Sequence, residues 1–341
     1  MATRSLAIKY RPTVFDAMVE QESIKKILLF QLTNNDTKNA YLFCGSAGTG
    51  KTTCARIFAN EINKHMGNHI EIDAASNSSV EDVKVLIQQA KTKSLDSEYK
   101  VFIIDECHSL SNTAWQALLK LLEEPPKFTI FILATTDPQK IPGTILSRVQ
   151  RFQFNKISNK GIVERLDYIL EQERKEDAAH DIEALEYIAK VANGGMRDSI
   201  TLLDKCLSLS PDITLANVLK ALGTESYDTF FSLLDELVHK QADAVRWVEN
   251  IFNDGKDIKQ FMKDFAKFVL DVEKYLIFSS FDYINIPKTE QNSRKLATLK
   301  EYRNAVFDVM ELVVSVNNKI KWETDVKTFV ELELLLFCKE E

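Results

Sequence analysis

Along the first 157 residues, short and continuously apolar runs alternate with longer amphipathic stretches. Ala40–Phe43, Ile70–Ile72, Val101–Ile104 and Thr129–Ala134 read as strands, and the stretches between them as helices. A strand such as Val101-Phe102-Ile103-Ile104, apolar at every position, is expected where helices cover both faces of a sheet. Residues 1–157 are therefore expected to form a parallel α/β layer. The strand signal then fades. Ile162, Leu166, Ile169 and Leu170 share one helical face, and further helical pieces through Gly223 predict a small helical domain over 158–223. From Tyr227 onward, amphipathic stretches at Ile258–Phe278 and Leu299–Val316 flank a polar, turn-rich segment around Asn285–Ser293 that contains Pro287. They predict an all-helical third domain over 224–341, its Phe and Leu residues serving mostly as core and in part as packing for neighbouring subunits.

Composition narrows the class. With 341 residues, 45% of them apolar, the chain can build two or three cores, which excludes a disordered protein. No apolar run approaches the roughly 18 residues that span a bilayer, and the start offers no charged leader followed by an apolar stretch, so a soluble, cytoplasmic protein without a membrane partner is expected. Cys44, Cys54, Cys107, Cys206 and Cys338 are scattered, with no C-x-x-C pair, and are expected as reduced, mostly buried thiols. The net charge of −7 hides an asymmetry: residues 1–157 carry 19 basic and 16 acidic side chains, which leaves 24 basic and 34 acidic in the remainder. A polyanion is expected to meet the first part.

Gly45-Ser46-Ala47-Gly48-Thr49-Gly50-Lys51-Thr52 satisfies the phosphate-loop pattern in full and lies between an apolar strand and a helical stretch, the setting such a loop requires. Its glycines allow backbone N–H groups to turn toward phosphates, and the helix starting near Lys51 adds its positive end. Lys51 is expected to reach the β and γ phosphates of ATP, and Thr52, with Thr53 beside it, to place a hydroxyl on Mg²⁺. The apolar strand at Val101 ends in Asp105-Glu106-Cys107-His108. Asp105 suits Mg²⁺, and Glu106 suits polarisation of an attacking water as general base. His108 orders the site or simply caps the turn. Thr136, past the strand Thr129–Ala134, is placed to bond the γ phosphate or the lytic water, ordinary strand-end capping being the plainer alternative.

Together with Lys9-Tyr10-Arg11-Pro12, Asp73-Ala74-Ala75-Ser76, Leu118-Leu119-Lys120, Glu123-Glu124-Pro125-Pro126, Ala134–Lys140, Ser147-Arg148 and Gly194–Asp198, these residues resemble the bacterial DNA polymerase III gamma/tau clamp-loader subunits and, more distantly, replication factor C small subunits, over roughly residues 5–223. The resemblance implies an AAA+ module of a five-stranded parallel sheet, a helical lid and a helical collar that assembles subunits into a five-membered ring. It implies that Tyr10, Arg11, Pro12 and Val19 line the adenine side, that Thr136 is sensor 1, that Arg197 is the lid's sensor 2 arginine, and that Arg148 is an arginine finger reaching the next subunit's nucleotide. The implied partners are a sliding clamp, primer-template DNA and other clamp-loader subunits.

Five departures stand out. The cysteine cluster that holds zinc in many bacterial members is missing from Asn60–Ile70, so no zinc is expected. The finger motif ends in Val149, the lid motif carries Gly195 where serine is common, and Glu20 replaces a glycine. The insertion-free form suits a phage-encoded protein acting in the host cytoplasm, or a divergent bacterial one. The DNA-facing basic positions are replaced by Asn77, Ser78 and Ser79, so contact is expected through Ser76, Asn77, Ser79, backbone amides and Lys84, with simple helix capping as the rival. Two other functions stay open: another DNA-acting AAA+ motor, for branch migration or replication restart, and a non-hydrolysing organiser subunit. No polymerase site is visible.

Overall fold

The computed structural model describes residues 5–67, 69–77, 79–173, 180–222 and 227–339; the expected domain boundary at 223–224 and Ser78 lie outside these. The chain divides into two compact units, Met1–Ile213 and Thr214–Glu341.

In the first unit, β1 (Ala40–Cys44), β2 (Ile70–Asp73), β3 (Lys100–Asp105), β4 (Thr129–Thr135) and β5 (Gln150–Gln153) form one sheet in the order β2-β3-β4-β1-β5, every pairing parallel. The preceding helices are α1 (Leu6–Lys9) and α2 (Glu22–Thr33), and α3 (Lys51–Ile62), α4 (Val80–Ala90), α5 (Asn112–Glu123) and α6 (Gly143–Leu146) carry the connections between strands. Parallel strands need such crossovers, which cover both faces and explain why β1, β3 and β4 are apolar along most of their length. Leu42, Phe102, Ile104, Phe131 and Leu133 pack with Trp115 and Leu118 in one core layer, whereas Tyr41, Phe43, Ile103 and Ile132 pack with Leu28, Ile57 and Phe58 in the other. β5, with the sequence Gln-Arg-Phe-Gln, buries only Phe152 and carries no apolar run to announce it.

The lid follows as α7 (Asn159–Glu173), α8 (Ile182–Ala192) and α9 (Met196–Leu209). Ile162, Leu166, Ile169 and Leu170 are buried along α7, on the face their spacing predicts. The second unit is entirely helical among its described residues: α10 (Leu215–Leu222), α11 (Tyr227–Val238), α12 (Val245–Asn253), α13 (Ile258–Phe278), α14 (Glu290–Leu299), α15 (Arg303–Lys319) and α16 (Val326–Lys339). Phe230, Phe231, Phe261, Phe265 and Phe268 form an aromatic cluster at its centre, so these phenylalanines are core. The turn-rich segment is shorter than expected, since Thr289 caps α14 by accepting a hydrogen bond from the Asn292 amide. No described helix is long and apolar enough to cross a membrane.

Candidate nucleotide-binding and hydrolysis site

The phosphate loop leaves the C-terminal end of β1, and α3 begins at Lys51. In the strand order β4 lies between β3 and β1, so the loop, the Asp105-Glu106 pair and Thr136 all emerge at the carboxyl edge of three adjacent strands. That edge is where open α/β sheets bind ligands. Gly48 has φ +71°, and a Cβ there would lie 3.0 Å from the Gly195 Cα, so only glycine lets the loop pass this close to the lid backbone. The Gly48 carbonyl accepts a hydrogen bond from the Met196 amide at 2.9 Å, joining loop and lid directly.

Lys51 is 5% exposed, and its Nζ donates to the carbonyls of Gly45 and Ser46, each at 2.8 Å. Burial lowers its pKa, an effect opposed by the nearby carboxylates of Glu106 and Asp105. Thr52 Oγ1 donates to Asp105 Oδ2 at 2.7 Å, and Asp105 Oδ1 accepts the Glu106 amide at 2.9 Å. Two hard oxygen donors side by side next to a phosphate loop fit Mg²⁺, which prefers one or two protein oxygens plus phosphate and water ligands. Among the described residues no group of three or more His, Cys, Asp or Glu is placed to hold a metal. The buried thiols Cys44, Cys54 and Cys107 have pKa values pushed up by desolvation, and all five cysteines are free.

Glu106 adopts a left-handed backbone at φ 45°, which starts the turn Cys107–Ser109. Its Oε2 accepts from Thr136 Oγ1 at 2.8 Å and from the Thr136 amide at 3.3 Å, and lies 3.2 Å from His108 Nδ1. His108 Nδ1 is also 3.1 Å from Thr135 Oγ1. Thr136 thus orients the carboxylate and is not itself part of the cleft wall.

That wall includes Tyr10, Arg11, Pro12, Val19, Gly48 to Thr53, Asp105, Glu106 and Arg197. It also includes residues the motifs did not point to, namely Ala7, Met18, Ile157, Arg165 and Ile200. Arg165 donates to the Tyr10 carbonyl at 2.8 Å, and Tyr10 OH donates to Glu173, so two α7 residues brace the segment that lines the cleft. Burial, followed by the nearby guanidiniums of Arg56 and Arg197, lowers the Arg11 pKa; this concentration of positive charge suits a polyphosphate. Arg148 is absent from the wall. It sits at the surface, donating to Thr144 O at 2.6 Å, Ser147 Oγ at 2.9 Å and Glu123 Oε1 at 2.7 Å.

Ser76, Asn77, Ser79 and Lys84 form an exposed run after β2. Ser76 Oγ and the Asn77 amides donate to Asp73, while Ser79 and Asp82 form a capping box at the start of α4.

Comparison with known proteins follows the same outline. Residues 64–158 match the family model described as DNA polymerase III, delta subunit, a span that starts beyond the phosphate loop, and residues 161–211 match that of the DNA polymerase III clamp loader subunit, ATPase lid domain. DNA polymerase III subunit tau of Bacillus subtilis is 34% identical over 99% of this chain, and that of Escherichia coli is 36% identical over 72% of it. The chain spans 64% and 41% of those two proteins. The gamma subunit of Buchnera aphidicola subsp. Baizongia pistaciae is 33% identical over 90% of this chain and 86% of its own length. Among solved structures, the Thermotoga maritima RuvB Holliday junction branch migration motor superposes with a TM-score of 0.52 at 22% identity, covering 67% of this chain and 79% of that one, which is a likeness of fold. Identity of a third, sustained across nearly the whole length of a gamma subunit, shows that the chain belongs to the DNA polymerase III gamma/tau family of clamp-loader subunits.

Proposed function

We propose that the chain is an ATP-hydrolysing motor subunit of a sliding-clamp loader, acting in the cytoplasm to open a clamp and place it on primer-template DNA, within a ring of five clamp-loader subunits. The observation that carries this is the complete hydrolytic constellation: Thr52 on Asp105 at 2.7 Å, Lys51 in the loop, and Glu106 oriented by Thr136 at 2.8 Å. A non-hydrolysing organiser has no need of Glu106 or of the Thr136 hydroxyl that orients it. The branch-migration reading has only a fold likeness in its favour.

In this reading Lys51 releases its loop carbonyls for the β and γ phosphates, and backbone amides of Gly48 to Thr52 cradle them. Thr52 and Asp105 hold Mg²⁺, which when bound neutralises developing phosphate charge. Thr136 and His108 converge on Glu106 Oε2, which leaves Oε1 to take the proton of the attacking water. Arg197 contributes charge from the lid, and Arg148 serves the adjacent subunit. The run Ser76, Asn77, Ser79 and Lys84 meets phosphates of the duplex, a contact that reads shape rather than sequence.

Lys51→Ala is expected to weaken ATP binding by about 10- to 100-fold, the loss of a charge-assisted contact, which a nucleotide titration reads directly. ATPase of the assembled complex, measured at fixed salt with clamp, with primed DNA, with both and with neither, tests the function. Both together are expected to stimulate turnover at least about tenfold, because assembly around them seats the neighbouring arginine. Unchanged turnover would count against clamp loading and in favour of a different DNA motor.

A further inference from the structure

Glu20 and Gln21 stand side by side in left-handed backbone, at φ 55° and 59°. Residues with side chains adopt this conformation only where their surroundings hold them in it. Both side chains turn onto residues 155–158, the connector between β5 and the lid helix α7. Gln21 Nε2 donates to the Asn155 carbonyl at 2.7 Å, and its Oε1 accepts the Asn155 amide at 3.3 Å. Glu20 accepts the Ser158 amide at 3.2 Å and the Ser158 hydroxyl at 2.5 Å. Ser158 Oγ in turn accepts the Gly161 amide at 3.0 Å and so caps α7, whose positive end favours the carboxylate. The fit is close: a Cβ on Gly161 would lie 2.8 Å from Glu20 Oε1 and 3.0 Å from Val19 Cγ1.

The connector reaches the nucleotide cleft by two routes. Val19 and Ile157, the immediate neighbours of Glu20 and Ser158, both line it. The Ile157 amide donates to the Gly194 carbonyl at 3.1 Å, and Gly194 lies just ahead of Met196 and Arg197, which also line it. Glutamate at 20 thus holds a strained turn against Ser158, the residue that caps the lid helix α7.

We propose that Glu20 is a positioning residue for the nucleotide cleft: by holding Ser158 it fixes the connector on which the lid turns, and so sets how tightly the cleft retains a nucleoside triphosphate. The proposal rests on the reading of the cleft as a nucleotide site, but its test needs no hydrolysis, clamp or DNA. Equilibrium titration of a fluorescent ATP analogue against the 341-residue chain is run beside thermal unfolding, for the wild type, Glu20→Gly, Glu20→Gln, Ser158→Ala and the Glu20→Gly/Ser158→Ala double variant. Glu20→Gly is expected to bind about fivefold more weakly while its unfolding midpoint holds or rises, since glycine relaxes the left-handed turn. Glutamine, which keeps an acceptor oxygen, restores most of the affinity. Ser158→Ala loses the hydroxyl bond but keeps the amide and falls between, and the double variant is no weaker than Glu20→Gly, because both substitutions break the same Glu20–Ser158 contact. Unchanged affinity in Glu20→Gly overturns the proposal, as does a loss that tracks a lowered unfolding midpoint or adds to that of Ser158→Ala. If the wild type binds ATP and Glu20→Gly binds it equally, only this proposal falls; if the wild type binds none, the reading of the cleft falls with it.

Discussion

Glu106→Gln is expected to keep ATP binding near the wild-type level while turnover falls at least about a hundredfold, the loss expected for a general base. Glutamine preserves the shape of the side chain and can still accept from Thr136, so the 2.8 Å bond that orients the group survives and only the proton acceptor is lost. Steady-state ATPase paired with a nucleotide titration separates the two effects. Turnover equal to wild type would remove Glu106 from the chemistry and leave Asp105, which already accepts from Thr52, as the acidic group beside the phosphate loop.

Arg148→Ala is expected to cost assembled complexes about 10³-fold or more in turnover, in the range of arginine fingers, while leaving ATP affinity of the isolated chain intact. The guanidinium is absent from its own chain's cleft and is held at the surface by Glu123, Ser147 and the Thr144 carbonyl, which supports action across a subunit boundary. Mixing an Arg148→Ala chain with a Lys51→Ala chain tests this. The first keeps an intact pocket and the second an intact finger, so partial recovery is expected in mixed rings and in neither parent alone. Full-rate hydrolysis by isolated Arg148→Ala chains, or no recovery on mixing, would show that the finger does not act in trans.

How far these groups could be read without coordinates depends on how local each signal is. The phosphate loop and the Asp105-Glu106 pair are contiguous, and their strands are apolar at nearly every position, so pattern alone located them. β5 escaped because an edge strand with a single buried side chain, Phe152, leaves no periodic trace. Met18, Ile157, Arg165 and Ile200 escaped for another reason. They enter the cleft through contacts between the amino-terminal segment and the lid, such as Arg165 to Tyr10, 155 residues apart, and nothing in a local window records such a distance. Glu20 was visible as a departure from glycine, but its partner Ser158 was not.

The strand order carries a consequence for synthesis. β1, which launches the phosphate loop, lies between β4 and β5, and these are the last two strands of the sheet to be made. At about 5–20 residues per second, β5 follows β1 by about 110 residues, roughly 5 to 20 s on the ribosome. For most of that interval the loop exists with neither flanking strand in place, since β4 comes only shortly before β5, and a nascent chain halted before Thr129 has a complete phosphate-loop motif but lacks β4, β5 and Thr136. The full cleft wall, which includes Arg165 and Arg197, is therefore complete only after the sheet and the start of α9 have been made.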